Sequence, residues 1–362
     1  EASIRYLCTQ GKKGIPDVVY ILLTEKSAQV HWPDLKPTLE CILPQSRVLG
    51  VSILDGKTEE EIWHNFSVVY DLIEEGDNIS FDITHAFRYL PMLMLSVGQY
   101  AVFLKNVNIK NITYGSWEGR DIETNVAPII DLLPVAQIQN WSYAAGSFLK
   151  EGSVSMLSNL CKQTLGSIIK EGKNNNYDTG EEERLRQFSV HLDRLVNERR
   201  SCRGRDVVSS ATAFQLWEEL GALRKDILPA YGPILDRIGK EIEIFSNRDD
   251  YRNAYNAALW CYEKGLYPQC ITFLLEGMVT KLCVECGLDP VVDRDSVSEA
   301  IRLTRIKNTN ISEIDESEIT PEIEAIIEKV PPKFESLFKA IADIRNDINH
   351  CGFRGEDGNP NK

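Results

Sequence analysis

Apolar positions along this chain follow two regimes. Over the first third, short unbroken apolar runs alternate with stretches at helical spacing. Val18 to Leu23 is a continuous apolar run closed by Thr24, which predicts a strand buried on both faces. Residues 48–54 predict a second short strand, and residues 59–73 a helix through Ile62, Phe66, Val69 and Ile73. Ile79 to Ile83 predicts a third strand, which runs into Thr84 and His85. A long apolar helix is predicted from Ala86 to Leu104, and another strand from Ile109 to Tyr114, stopped by Gly115. Strands alternating with helices imply a parallel, doubly wound sheet. Such sheets bind ligands at the carboxyl ends of their strands. Here those ends carry Thr24, then Asp82-Ile83-Thr84-His85, then Tyr114-Gly115-Ser116-Trp117.

From about Ala136 onward the strand pattern stops. Helical spacing recurs over 141–149, 154–170, 182–197, 211–226, 233–245, 251–264, 268–286 and 296–306, with polar loops at 172–181 and 308–317. A last helix follows Pro331 and Pro332, with Phe334, Leu337, Phe338, Ile341, Ile344 and Ile348 as one buried stripe and Gly352 placed to close it. No short-period repeat is evident. The fold class expected is an α/β domain followed by a mostly helical half.

Composition narrows the function classes. The chain has 362 residues, 43% hydrophobic and 26% charged, enough for two or three cores. No apolar run is long enough to span a bilayer and no secretory signal is present, so a cytoplasmic location is expected. The chain begins at Glu1 rather than at a methionine. Nine irregularly spaced cysteines suggest a reducing compartment rather than a disulfide framework. Cys283 and Cys286 form a single pair with no second pair at finger spacing, and His350-Cys351 lies far along the chain, so no metal site is expected. A formal net charge of −14 argues against broad duplex binding but leaves room for a small cationic cleft.

Candidate chemistry concentrates in two places. The last helix ends in Arg345-Asn346-Asp347-Ile348-Asn349-His350. An imidazole can move a proton near neutral pH, and a guanidinium can hold the charge that builds on a phosphate under attack. At about 100° per residue, Arg345 and His350 stand about 140° apart around a helix, whereas Asn346 and His350 share a side and can hydrogen-bond. A working site therefore needs the frayed helix end or a second copy of the helix. Read alone, the motif also fits an arginine and a histidine on the wet end of a core helix.

The second place is Asp82-Ile83-Thr84-His85-Ala86-Phe87-Arg88, at a strand-to-helix turn. Amides at a helix start face an anion, with the Thr84 hydroxyl beside them and His85 and Arg88 within reach of a phosphate or base. Equally, Asp82 or Thr84 caps the helix and His85 lies at the surface. Elsewhere, Arg199, Arg200, Arg203 and Arg205 make a compact basic run, read as a solvated loop or an RNA contact. Tyr251, Tyr255, Trp260, Tyr262 and Tyr267 read as core packing or a dimer seam before base stacking.

Taken together, these motifs resemble a family of CRISPR-associated proteins of type III systems. Its members join a CRISPR-associated Rossmann-fold (CARF) sensor domain to a HEPN ribonuclease domain. Asp82 to Arg88 is similar to the family's Asp-x-Thr-His-Gly motif, with Ala86 in place of the usual glycine. Tyr114-Gly115-Ser116-Trp117-Glu118, Pro128 to Leu132 leading to Trp141, and Phe148 to Gly152 match further. So do Trp260 to Gly265 with Gln269 to Glu276, and the terminal Arg345, Asn346 and His350. Residues 1–7 resemble the family's first helix, so the family's first strand and a ligand-holding loop are expected to be missing here.

The resemblance implies a Rossmann-like CARF domain over 1–140, a helical linker or insertion over 141–248 and a HEPN domain over 249–362. It implies a homodimer, with room for higher assembly, that cuts single-stranded RNA without a metal and leaves 2′,3′-cyclic phosphate ends. Arg345, Asn346 and His350 are the implied catalytic residues. The implied activator is a cyclic oligoadenylate, tetra-adenylate before hexa-adenylate, held by Thr24, Asp82, Thr84, His85, Arg88, Tyr114, Gly115 and Ser116. This second messenger would couple the protein to a type III CRISPR effector complex. A non-catalytic nucleotide sensor and a ring nuclease that degrades cyclic oligoadenylate are the alternatives.

Overall fold

The computed structural model describes residues 2–8, 14–84, 87–175, 177–223, 232–245, 247–309 and 319–353. The chain divides into two units, Glu1–Gln139 and Asn140–Lys362.

In the first unit, α1 (Ala2–Cys8) precedes β1 (Val18–Leu23), which pairs in parallel with β2 (Arg47–Ser52). Two helices that the sequence pattern does not announce, α2 (Glu25–Val30) and α3 (Trp32–Ile42), connect them. Helix α4 (Glu59–Asp71) starts at Thr58, whose side chain accepts from the Glu61 amide, and three glutamates in its first turn suit the positive end of the helix dipole. β3 (Asn78–Asp82) pairs in parallel with β4 (Asn108–Gly115) across α5 (Leu90–Lys105). A three-residue strand, β5 (Ile129–Asp131), adds to β4 in antiparallel sense.

The unit is thus α/β, but its backbone ladders differ from one continuous parallel sheet. Among the described residues, β1–β2 and β3–β4–β5 are separate ladders. The register shifts between Ile79 and Ser80, where Lys110 is the extra residue on β4, a bulge that bends β4 locally. Side chains link the two ladders instead: Leu22 and Ile79 pack on a cluster of Ile53, Val69, Ile73, Leu90, Leu93, Val97, Ala101 and Val107. Nor is β1 buried on both faces. Tyr20 is exposed, and Leu23 is the strand's one buried residue.

The second unit is helical. After α6 (Leu133–Glu151) come α7 (Ser155–Leu160), a π-helical turn at Cys161–Leu165 and α8 (Gly166–Asn175), where one helix was expected. The cause is legible in the buried residues. Leu157, Cys161, Leu165 and Ile169 recur at strict four-residue steps, and an α-helix overshoots by about 40° per such step. The wider π turn keeps the stripe facing inward.

Then follow α9 (Gly180–Arg200), α10 (Gly204–Ser209), α11 (Ala211–Ala222), α12 (Gly232–Glu243), α13 (Arg252–Glu263), α14 (Tyr267–Cys286), α15 (Arg294–Thr309), α16 (Pro321–Ile327) and α17 (Phe334–Asn349). One core runs from Trp141 through Phe188, Leu192, Leu216 and Ile238 to Trp260 and Phe273. A second joins Val279, Leu282, Val297, Ala300, Ile301 and Ile326, with Phe334 and Phe338 packed against it. Among the described residues, no helix is long and apolar enough to cross a membrane.

Two expectations are corrected here. Arg199 belongs to neither a solvated loop nor an open RNA contact. It is 2% exposed, its guanidinium lies 3.9 Å from the Phe245 ring centroid, and Nη1 donates to the Leu195 carbonyl at 2.9 Å. The α17 stripe is also not uniformly buried. Phe334 and Phe338 face the second core, but Leu337 and Ile344 are exposed. The helix begins two residues after Pro332, with Lys333 at positive φ before its first turn.

Candidate functional site

The carboxyl ends of β3 and β4 are held together by a threonine. Thr84 Oγ1 donates to Asp82 Oδ1 at 2.5 Å and accepts from the Gly115 amide at 2.8 Å. The same Asp82 oxygen accepts the Thr84 amide at 3.0 Å, closing an Asx turn. A side chain at residue 115 would not fit, since a Cβ there would come within 2.9 Å of Thr84 Cγ2. So Asp82, Thr84 and Gly115 come together as expected, but the hydroxyl proton of Thr84 is already committed to Asp82. Its first role is to fix the edge.

The remaining candidates on this edge fare differently. Ser116 is tied by its amide to the Pro128 carbonyl at 2.9 Å. The Tyr114 hydroxyl donates to Glu118 Oε2 at 3.0 Å, and that bond, with the Glu118 charge, pushes the phenol above its ordinary pKa. Arg88 is exposed in the turn before α5. Thr24 is a buried helix cap whose Oγ1 accepts from the Ser27 amide and donates to the Ser27 hydroxyl. That bonding is the structural alternative for a polar residue at a strand end. His85 lies outside the described residues.

Sequence reasoning passed over Asn65. Fully buried, it exchanges two 2.8 Å bonds with the Leu54 backbone and donates to the Tyr89 hydroxyl at 2.8 Å. It thereby pins the loop after β2 to the segment that follows Thr84. Asparagine within an otherwise amphipathic helix was the available signal.

In the second unit, Arg345 sits in the penultimate turn of α17 and reaches α14. Its Nη1 donates to Glu276 Oε1 at 3.5 Å and its Nη2 to Asn346 Oδ1 at 3.2 Å. Its Nε is buried with no hydrogen-bond partner among the described residues. Glu276 is gripped from its other side by Arg294, which binds Oε2 through Nε at 3.1 Å and through Nη2. Arg294 Nη2 also reaches the Glu276 carbonyl at 2.9 Å, and Nη1 the Thr280 hydroxyl at 3.1 Å. One carboxylate therefore lies between two guanidiniums, and the trio keeps a net positive charge.

Neither Glu276 nor Arg294 was foreseen as a site residue. The signal was the polar stripe Gln269, Thr272, Glu276 and Thr280 on an otherwise apolar helix. Asn346 departs from expectation too, since its side chain serves Arg345 rather than His350. What joins Asn346 to His350 is backbone: the His350 amide donates to the Asn346 carbonyl at 3.0 Å.

His350 is the C-cap of α17 and is exposed. Behind it the Cys351 amide returns to the Ile348 carbonyl and the Gly352 amide to the Asp347 carbonyl, each at 3.0 Å. This is a Schellman cap with Cys351 and Gly352 both at positive φ, 53° and 73°. Gly352 does close the helix, one position later than a glycine usually stands. The site thus offers a cation docked on a carboxylate, an amide that steadies it, and an imidazole at the helix end.

No family model matches the chain. A search of curated proteins finds the CRISPR-associated protein MJ1674 of Methanocaldococcus jannaschii, 25% identical over 315 residues. The chain is similar to a CRISPR-associated protein. The match covers 84% of this chain and 43% of that protein, so the chain spans less than half the length of the curated relative it matches. This likeness supports a CRISPR association.

Proposed function

We propose that the chain is a CRISPR-associated endoribonuclease that cuts single-stranded RNA without a metal and is switched on by a cyclic oligoadenylate. The observation that carries the reading is the end of α17: Arg345 steadied by Asn346 and Glu276, with His350 fixed at the helix cap. In the proposed reaction, His350 takes the proton from a ribose 2′-hydroxyl, which attacks the adjacent phosphorus as the P–O5′ bond breaks and the departing 5′-oxygen takes a proton from water. A 2′,3′-cyclic phosphate remains on one product. Arg345 holds the charge of the phosphorane, and Asn346 orients Arg345.

Two copies would act together. Arg345 and His350 diverge around one helix, whereas Leu337, Ile341 and Ile344 leave an apolar strip beside Arg345 that a second α17 would cover. The Asp82–Thr84–Gly115 edge would line the activator cleft, with the cyclic tetra-adenylate expected before the hexa-adenylate. A two-fold pair of such edges matches a cyclic ligand, and the ligand must bind the active arrangement more tightly than the resting one.

The test is cleavage of a fluorescent single-stranded RNA with and without each ring, beside Arg345→Ala, while the ring itself is followed. Ring-dependent RNA cleavage lost in Arg345→Ala supports the reading. Cleavage of the ring alone would replace it with a ring nuclease, and cleavage of neither with a sensor that has no catalytic role.

A further inference from the structure

The basic run at the end of α9 has no part in the reaction above, yet its place is well defined. A Schellman cap ends α9, with the Cys202 amide on the Arg199 carbonyl at 3.2 Å and the Arg203 amide on the Glu198 carbonyl at 2.8 Å. Cys202 holds the left-handed position, at φ 52°. Helix α10 starts at once, at Gly204, so the turn is braced on both sides. Arg199 points into the core, which leaves Arg200, Arg203 and Arg205 exposed. Arg203 makes no side-chain hydrogen bond or ion pair with a described residue.

This turn lies along the polar stripe of α14. Gln269 Nε2 donates to the Arg200 carbonyl at 3.3 Å. Burial raises the Cys202 thiol, opposed by the neighbouring Thr272 and Arg203, while Glu276 raises it further. The amides of Val291 and Val292 hold Asp289 low, with Arg205 adding to the effect. Five residues after Asp289, Arg294 joins Pro290, Thr280 and Glu276, and Glu276 meets Arg345. Gln269 and Glu276 are seven residues, about 10 Å, apart on one side of the helix. Among the described residues, Glu276 pairs with Arg294 and Arg345, and Asp289, whose amide donates to Asp293, lies within the influence of Arg205. In a chain of net charge −14, such a strip focuses positive potential beside the candidate cleavage residues.

We infer that the Arg203–Arg205 turn and the polar edge of α14 form a track for the sugar–phosphate backbone of single-stranded RNA, leading to Arg345. The inference rests on the ribonuclease reading and adds where the substrate lies. A backbone track of this kind is sequence-tolerant and salt-sensitive, since its contacts are to phosphates.

The experiment measures anisotropy of a fluorescein-labelled, mixed-sequence single-stranded RNA on the full chain with cyclic tetra-adenylate present. His350→Ala is the parent, compared with the same chain carrying Arg203→Glu and Arg205→Glu, over a series of salt concentrations. The charge reversals should weaken RNA binding about tenfold or more and make the log–log salt slope shallower by about 1.4, two contacts' worth. Binding of the cyclic tetra-adenylate should not change. Arg203→Lys with Arg205→Lys should bind RNA as the parent does, because a phosphate contact needs the charge rather than the fork. Equal affinity and slope in the reversal variant would overturn the track and leave the ribonuclease reading standing, as would weakened binding in the lysine variant. A parent that binds no RNA, with a wild type that cuts none, would overturn both. If the reversal variant loses its near-ultraviolet circular dichroism, Arg203→Gln with Arg205→Gln takes its place and must give the same loss of slope.

Discussion

Arg345 Nη1 stands 3.5 Å from Glu276 Oε1, so α17 and α14 are joined through a carboxylate that Arg294 also holds. Glu276 thereby positions a guanidinium it does not need for its own neutralisation. Glu276→Gln keeps an acceptor oxygen but loses the charge, and Glu276→Ala loses both. We expect RNA cleavage to fall in that order, to about 100-fold in the alanine variant, through kcat with KM nearly constant. A stopped-assay series over RNA concentration checks this, and an unchanged kcat in Glu276→Ala would remove Glu276 from the site.

His350→Ala should abolish cleavage and leave binding of the cyclic activator intact, as should replacing the substrate's ribose by deoxyribose at the scissile position. His85→Ala is expected to weaken activation more than basal cleavage. Isothermal titration beside product analysis separates the cases. Wild-type cleavage by His350→Ala would end the catalytic assignment.

The Thr84 bridge predicts a coupled loss. Gly115→Ala forces a methyl against Thr84 Cγ2, at a cost of about 1–3 kcal/mol, and Thr84→Val leaves the Gly115 amide without its acceptor. Both should lower the unfolding free energy in urea. Both should also raise the activator concentration for half-maximal cleavage; a shift in stability with no shift in activation would confine Thr84 to the scaffold.

Arg199 offers a contrast between charge and volume. Arg199→Met keeps an apolar stem of similar length and removes a buried guanidinium that lies against Phe245 and Trp260 and whose Nε lacks a partner. It should be neutral or stabilising by up to about 4 kcal/mol. Arg199→Ala leaves a cavity and should cost about 2–4 kcal/mol. Thermal melts of the two variants decide, and equal destabilisation would mean that the charge itself holds the core.

Burial pushes the thiols of Cys161 and Cys261 up to about 11 and about 12, from 9.0. At pH 8 both should resist iodoacetamide while the exposed Cys41 and Cys351 react, as peptide mass mapping would show. Below pH 9 folded and unfolded chains both keep these protons. Above it the unfolded chain releases them first, so stability falls with rising pH until the folded thiols ionise near 11 to 12. Cys261→Ala should lessen that decline; an identical decline in urea melts would assign it to other groups.

Periodicity carried much of the fold. The strand runs at Val18, Ile79 and Ile109 and the helical half were legible because side-chain burial sets the period. What it missed was set otherwise. Helix α3 carries Pro37 inside it, and α2 is capped by a threonine that read as a ligand residue. The π turn at Cys161–Leu165 answers a four-residue stripe that a count of apolar positions takes for an ordinary helix. At the candidate site, residues near in sequence could be named from it, whereas the distant residues they contact could not. Asn346 lies beside Arg345, whereas Glu276 is sixty-nine positions away and acts only through folding.

The cap on α17 bears on the entropy of the candidate proton carrier. The His350 amide is held by Asn346, and its carbonyl receives the Phe353 amide at 3.0 Å. Backbone freedom at this residue is thus spent when the protein folds, before any RNA arrives. The imidazole has two side-chain torsions left to settle, so bringing it into line costs about 1 kcal/mol rather than the larger sum of a loose chain end.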